Sequence, residues 1–190
     1  MDVTCTYNHS LITILLPHRL PFLMVDTINS YKGGKSPTLL ANYAINDRGP
    51  LHPADEADDH WPSMYVIEGL GQCCNLMIVI SALEKRLVEA GLKFNSICEV
   101  LRRLMNDEPD EITSILKSAL NQRLLEPYSS VGFVGSAEME ITGYARQGQL
   151  ILYETQLNQV FGSLFYSTVR AYTNNNLIAH GKMVSATRKN

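Results

Sequence analysis

The sequence has little charge, few cysteines and no apolar run long enough to span a membrane. Charged residues make up 18% of its 190 residues and the formal net charge is −3. A balance this weak argues against a protein that coats nucleic-acid phosphates. The four cysteines show neither a CxxC pair nor another zinc spacing, so we expect free thiols and no metal site. The apolar stretches are interrupted before the ~20 residues that a membrane span needs, so no span is predicted.

The first ten residues, MDVTCTYNHS, lack the basic region and apolar run of a secretory leader. Together with the cysteine usage, this predicts a cytoplasmic protein. Hydrophobic residues make up 45% of the chain, enough for a proper core. At this length we expect a single domain over residues 1–190.

The longest periodic segment predicts a buried helix. Residues 63–87 are apolar around nearly every turn, and Ser63 directly after Pro62 suits a helix start. Gly69 and Gly71 each cost a helix about 1 kcal/mol relative to alanine. We therefore expect a strand or a second subunit to approach the helix closely at these two glycines.

The remaining pattern predicts a sheet and a helical insertion. Short strands are expected at 22–25 and 39–45, and two further helices within 92–126, inside an insertion of about 84–126. Four strand-like runs that predict an antiparallel meander close the chain: 131–141, 150–160, 164–173 and 177–185. The fold class is thus α+β, and a sheet curled around one buried helix is the simplest arrangement.

Two motifs suggest a family. Residues 16–28, LPHRLPFLMVDTI, resemble the signature L-P-H-R-x-P-F-L-L-V-D-x-I of the hotdog-fold 3-hydroxyacyl-acyl-carrier-protein dehydratases. Residues 67–72, IEGLGQ, resemble the I-E-A-M-A-Q start of that family's central helix. The resemblance implies a hotdog fold, a curved antiparallel sheet wrapped around a long central helix. The helical insertion lies outside it.

The sequence departs from the family in the loop that carries the family's histidine. Trp61-Pro62-Ser63 stands where Met-Pro-Gly is usual, and the family's spacing before Glu68 reaches Ala54 rather than a histidine. The form is similar to a divergent branch of thioester dehydratases, found as partner subunits in aryl-polyene and related polyketide-like pathways. Two histidines, His52 and His60, remain as candidates for the base, and the flanking prolines slightly favour His52.

The resemblance assigns roles to several residues. Dehydration needs a base for the proton beside the carbonyl and an acid for the leaving hydroxyl. The resemblance implies that Glu68 is the acid and that the substrate site is lined by Ser63, Met64 and Gln72. A structural role remains open for both Glu68 and Gln72. His18 is interpreted as closing a turn. No cofactor is expected beyond the phosphopantetheine arm that carries the substrate.

Three functions remain open on this fold. The leading hypothesis is a dehydratase of 3-hydroxyacyl chains held on acyl carrier protein, in fatty-acid or polyketide-like biosynthesis. The others are a non-catalytic hotdog subunit of an active dehydratase and an acyl thioesterase. The open sheet edge predicts a homodimer or heterodimer. Basic residues of the insertion are either a solvated face or a docking surface for the acidic carrier protein: Arg102, Arg103, Lys117 and Arg123.

Overall fold

A computed structural model describes residues 4–7, 9–46, 60–93, 96–121 and 133–186. The helices are α1 (His9–Leu15), α2 (Ser63–Glu89), α3 (Ile97–Met105) and α4 (Glu111–Asn121). The strands are β1 (Thr4–Tyr7), β2 (Thr27–Lys32), β3 (Thr38–Ala44), β4 (His60–Trp61), β5 (Phe133–Ile141), β6 (Ala145–Arg146), β7 (Leu150–Phe161), β8 (Leu164–Thr173) and β9 (Asn176–Ala186).

Seven of these strands form one antiparallel sheet in the order β1-β2-β3-β7-β8-β9-β5. Helix α2 lies on the inner face of the curved sheet and contacts β3, β7, β8 and β9. The predicted α+β arrangement, a curved antiparallel sheet around a long central helix, is confirmed. The short strands β4 and β6 pair separately, so the chain just before α2 is tied to the turn before β7.

The closing strands are not a simple meander. Strands β7, β8 and β9 follow one another as expected, but β5 pairs with β9 rather than with β7. The place beside β7 is taken by β3, paired from Thr38↔Gln156 to Ala44↔Leu150. Among the described strands β5 has one neighbour, which leaves its other edge open along Phe133–Ile141.

The strand predicted at 22–25 is wrong, because this segment is an irregular loop and β2 begins at Thr27. The loop's backbone groups find a side-chain partner instead of a neighbouring strand: the amide of Gln72 bonds both the Phe22 carbonyl and the Met24 N–H. An apolar run alone does not distinguish a buried strand from a buried loop supplied with such a partner.

Helix α2 is buried on most sides, as its composition predicts. It is long and apolar enough to cross a membrane, but 78% of its most apolar stretch is covered by the rest of the protein, as in a core helix. The two glycines mark close approaches. A Cβ at Gly69 would overlap the phenol of Tyr153 on β7, and one at Gly71 would lie 3.0 Å from a methyl of Val134 on β5.

The insertion contains two capped helices. The Ser96 hydroxyl accepts a hydrogen bond of 3.1 Å from the Cys98 N–H at the start of α3. The Asp110 carboxylate accepts one of 2.7 Å from the Thr113 N–H at the start of α4. Both are short polar side chains of the kind that satisfies the free N–H groups of a first turn. The two helices predicted within 92–126 are confirmed.

Candidate functional site

Glu68 lies in the second turn of α2, on the side that faces the loop before β2. The helical period buries Val66 and Leu70 against the rest of the protein. The same period leaves 44% of the Glu68 side chain exposed. Its apolar neighbours in sequence therefore line a different face of the helix, and the carboxylate is open to an incoming molecule.

Gln72, one turn after Glu68, ties the helix to the loop. Its Oε1 accepts a 2.9 Å hydrogen bond from the Met24 N–H, while its Nε2 donates to the Phe22 carbonyl and to Glu68 Oε1, both at 2.8 Å. Only 1% of the residue is exposed. The buried amide is occupied by protein groups and positions Glu68, so the geometry supports the structural role left open for Gln72, while its substrate contact stays a prediction.

The loop carries His18 to the carboxylate. His18 Nε2 lies 3.5 Å from Glu68 Oε1, and 24% of the His18 side chain is exposed. The Arg19 guanidinium folds back on the same loop, donating 2.8 Å hydrogen bonds from Nη1 to the carbonyls of Leu16 and His18. His18, for which the sequence predicts only a role in a turn, thus contacts the Glu68 carboxylate.

No spacing rule identifies His18, because 50 residues separate it from Glu68 and the contact depends on the fold of the loop between them. The sequence feature that points to His18 is its position inside the motif at residues 16–28. Over the part of the chain that is described, Gln72 and His18 are the polar partners recorded for Glu68.

The two histidines proposed as the base have different outcomes. His52 lies outside the described residues. His60 is in β4, paired with Arg146 of β6, and its ring stacks on Tyr144 with centroids 3.6 Å apart. The Arg146 guanidinium carbon lies 5.2 Å from the centre of the same tyrosine ring. His60 thus belongs to an aromatic and cationic stack that holds the two short strands together.

Ser63 and Met64 stand at the start of α2, on the approach to Glu68. The helix begins at Ser63 after Pro62 and has no side-chain cap bond there. Met64 is 70% exposed and precedes Glu68 by four residues, so both lie on one face of the helix. An exposed apolar side chain therefore lies on the Glu68 face of the helix, and the substrate contacts expected of Ser63 and Met64 stay a prediction.

Groups buried near the site are held neutral. Burial raises the pKa of the Cys74 thiol to about 12, and it also raises the pKa of Cys73 and of Tyr153 well above their ordinary values. The Tyr153 hydroxyl is buried with no hydrogen-bond partner among the described residues. Nor do the described residues include a group of three or more His, Cys, Asp or Glu side chains able to hold a metal.

The basic residues of the insertion are engaged in ion pairs. Arg102 pairs with Glu108, Arg103 with Glu99 and Asp110, and Lys117 with Asp107. Residues 96–121 hold five acidic and three basic side chains, a net charge of −2. The docking surface predicted here for an acidic partner has a repulsive sign, so the solvated-face alternative fits better. Arg123 lies outside the described residues.

Sequence comparison finds relatives over part of the chain. No model of a known protein family matches. The 3-hydroxyacyl-[acyl-carrier-protein] dehydratase FabZ of Neisseria meningitidis is 32% identical over 82 residues, which are 43% of this chain and 54% of that protein. The FabZ of Nitrosospira multiformis is 39% identical over 67 residues, 33% of this chain and 42% of that protein. The chain spans about half the length of these curated relatives.

Solved structures share the fold over nearly the whole chain. The dehydratase heterocomplex ApeI:P from Xenorhabdus doucetiae superposes with a TM-score of 0.57 and 12% identity, covering 94% of this chain and 91% of that one. Zebra fish thioesterase superfamily member 2 gives a TM-score of 0.53 and 12% identity, with coverage of 94% and 93%. At this identity the likeness shows the architecture, which enzymes of different activity share.

Proposed function

We propose that this chain is a hotdog-fold protein of a branch that diverges from the FabZ-type dehydratases, and that it removes water from 3-hydroxyacyl thioesters. The observation that carries the proposal is the Glu68 carboxylate, whose side chain is 44% exposed near the start of the central helix. A carboxyl group at this open position supplies the acid that dehydration needs for the leaving hydroxyl.

In the proposed reaction Glu68 is the acid. Its recorded contacts with Gln72 and His18 both use Oε1, so Oε2 is the oxygen that we assign to the substrate hydroxyl. The protonated carboxyl gives its proton to the hydroxyl, which leaves as water. The first-turn N–H groups of α2 would stabilise the developing charge on the thioester oxygen, since a helix start carries partial positive charge.

For substrate delivery, we propose an acyl chain tethered to the phosphopantetheine of an acyl carrier protein. The similarity of part of the chain to carrier-dependent dehydratases supports this choice. The net negative charge of residues 96–121 argues that the carrier approaches from elsewhere, because like charges at an interface oppose association. The exposed end of α2 around Met64 is the approach that leads to Glu68.

The open edge of β5 supports pairing with a second hotdog subunit, either another copy or a relative. Unpaired strand edges form sheet hydrogen bonds with another chain when nothing covers them. Val134 and Ile141, near the two ends of β5, are each 43% exposed. Sedimentation analysis should show an assembly larger than one chain. A Val134→Lys, Ile141→Lys double variant should shift it toward the monomer, while Leu177→Lys on β9 should not.

A thioesterase is the second candidate, because the same exposed carboxylate would activate water if the substrate carried no 3-hydroxyl. The two reactions release different products: dehydration gives an enoyl thioester, whereas hydrolysis gives a free thiol and a carboxylic acid. A non-catalytic subunit would give neither product alone.

The decisive experiment supplies 3-hydroxyacyl thioesters to the purified chain and measures enoyl thioester by mass spectrometry and free thiol by a colorimetric reagent. We expect enoyl product from the wild type and a loss of about 10²-fold or more in Glu68→Gln, the contribution typical of a general acid. Glu140→Gln, a surface carboxylate on β5 paired with His180, serves as the control. Thiol release would support the thioesterase, and wild-type turnover by Glu68→Gln would reject Glu68 as the acid.

A further inference from the structure

We infer that His18 is the base of the site and that it works with Glu68 of the same chain. This inference rests on the proposed function, since it names the second proton-transfer group of that reaction. It departs from the sequence-based hypothesis, which sought the base at His52 or His60. The loop at 16–24 and the second turn of α2 then contain both reacting groups, so the two groups need no histidine from a partner subunit.

The first support is the way the two residues are held. Gln72 bonds the loop on either side of Leu23 and also bonds Glu68, so one buried amide fixes both the loop and the carboxylate. Arg19 holds the loop backbone at the His18 carbonyl. A histidine that is merely part of a turn does not require its ring to be set 3.5 Å from a half-exposed carboxylate.

The second support is the orientation of the imidazole. His18 Nδ1 is buried, without a hydrogen-bond partner among the described residues, whereas Nε2 faces Glu68. The side chain as a whole remains 24% exposed. Nε2 is therefore the ring atom that can meet a substrate lying over Glu68. A catalytic base must present its free nitrogen within reach of the proton it removes.

The proton balance of the step follows from this arrangement. Nε2 takes the proton from the carbon beside the thioester carbonyl, and the electrons of that C–H bond form the carbon–carbon double bond. The bond to the 3-hydroxyl breaks, and the oxygen leaves as water with the proton of Glu68. The imidazolium of His18 then faces the carboxylate of Glu68 at 3.5 Å, so its proton can return to Glu68 and restore both groups.

The test compares His18→Asn with His180→Asn, a matched control on β9 whose ring pairs with Glu140 at the surface. We expect kcat to fall by about 10²-fold or more in His18→Asn, with KM little changed, and no change in the control. Exchange of the α-deuterium of a labelled acyl thioester with water should disappear with kcat. Added imidazole should restore part of the activity of His18→Ala, which a purely structural role would not allow.

Further measurements separate this inference from the proposed function. If the wild type forms enoyl product and Glu68→Gln does not, but His18→Asn retains wild-type turnover and α-exchange, the inference is overturned while the function stands. Independently of activity, the imidazole NMR signals of His18 should shift in Glu68→Gln while those of His180 stay in place. Unshifted His18 signals would refute the pairing itself.

Discussion

The phenol of Tyr153 occupies the space in which a side chain at Gly69 would stand. Tyr153 is fully buried on β7, and a Cβ built on Gly69 would overlap both its hydroxyl oxygen and its ring. The glycine next to the proposed acid, Glu68, is therefore required by the sheet. The contact fixes how closely the second turn of α2 approaches β7.

Alanine at Gly69 should destabilise the fold. Tyr153 is fully buried, so its ring would have to shift within the core, and overpacking of a core typically costs roughly 1–3 kcal/mol. Gly71→Ala is the matched control: it gains the same helix propensity, and its Cβ would meet only a methyl of Val134 at 3.0 Å. Denaturant unfolding of both variants measures the difference, and equal stabilities would contradict the close packing described for Gly69.

Leucine at Gln72 should impair both folding and the proposed site. Leucine has a side chain of similar size, but it leaves the Phe22 carbonyl and the Met24 N–H without their hydrogen-bond partner. An unsatisfied buried polar group costs about 1–3 kcal/mol. We expect a lower free energy of unfolding together with a lower kcat, since Glu68 loses a hydrogen bond.

The control for Gln72 is Gln147→Leu, which removes an exposed amide bonded to the Asn46 carbonyl at 3.3 Å. It should change neither stability nor turnover appreciably. If Gln72→Leu proved as stable as this control, the loop would not depend on the Gln72 amide.

Sequence reasoning reached the fold further than the site. The central helix and the strands β3, β7, β8 and β9 follow from local periodicity and side-chain chemistry. The position of β5 beside β9 does not, because strand order depends on contacts between distant segments. The contact between His18 and Glu68 could not be predicted for the same reason, because a loop whose backbone bonds Gln72 rather than a strand brings the two residues together.

Acid should weaken the insertion through Asp110. The Thr113 N–H lowers the pKa of this carboxyl, with a smaller contribution from Arg103. A depressed pKa in the folded state means that the stabilisation is fully present above the unfolded value of about 4 and is lost as the pH falls through the folded value. Unfolding measured between about pH 5 and pH 2 should therefore be less pH-dependent in Asp110→Asn than in the wild type.

Asp107→Asn is the comparison for that experiment, because Asp107 lies in the same turn and pairs with Lys117 at the surface. Asp107→Asn removes a carboxylate of the same turn without removing the hydrogen bond from Thr113. An Asp110→Asn profile that followed the wild type would show that this hydrogen bond does not couple folding to acid.

The adjacent thiols of Cys73 and Cys74 should be inert in the folded protein. Both are completely buried, and burial raises the pKa of Cys74 to about 12, so the reactive thiolate is scarce at neutral pH. Peptide mass spectrometry after iodoacetamide treatment should show modification at these residues only in denaturant. Labelling of the native protein at neutral pH would mean that α2 opens away from the sheet.

The basic residues of α3 and α4 form their ion pairs within residues 96–121. Arg102, Arg103 and Lys117 each pair with an acidic side chain of α3 or of the turn between α3 and α4. The buried side of α3 meanwhile belongs to the common core, through residues such as Leu101 and Leu104. A few surface replacements can thus reverse the charge that this segment presents to solvent while the curved sheet stays unaltered. Relatives that differ in partner choice should accumulate their changes on that outer face.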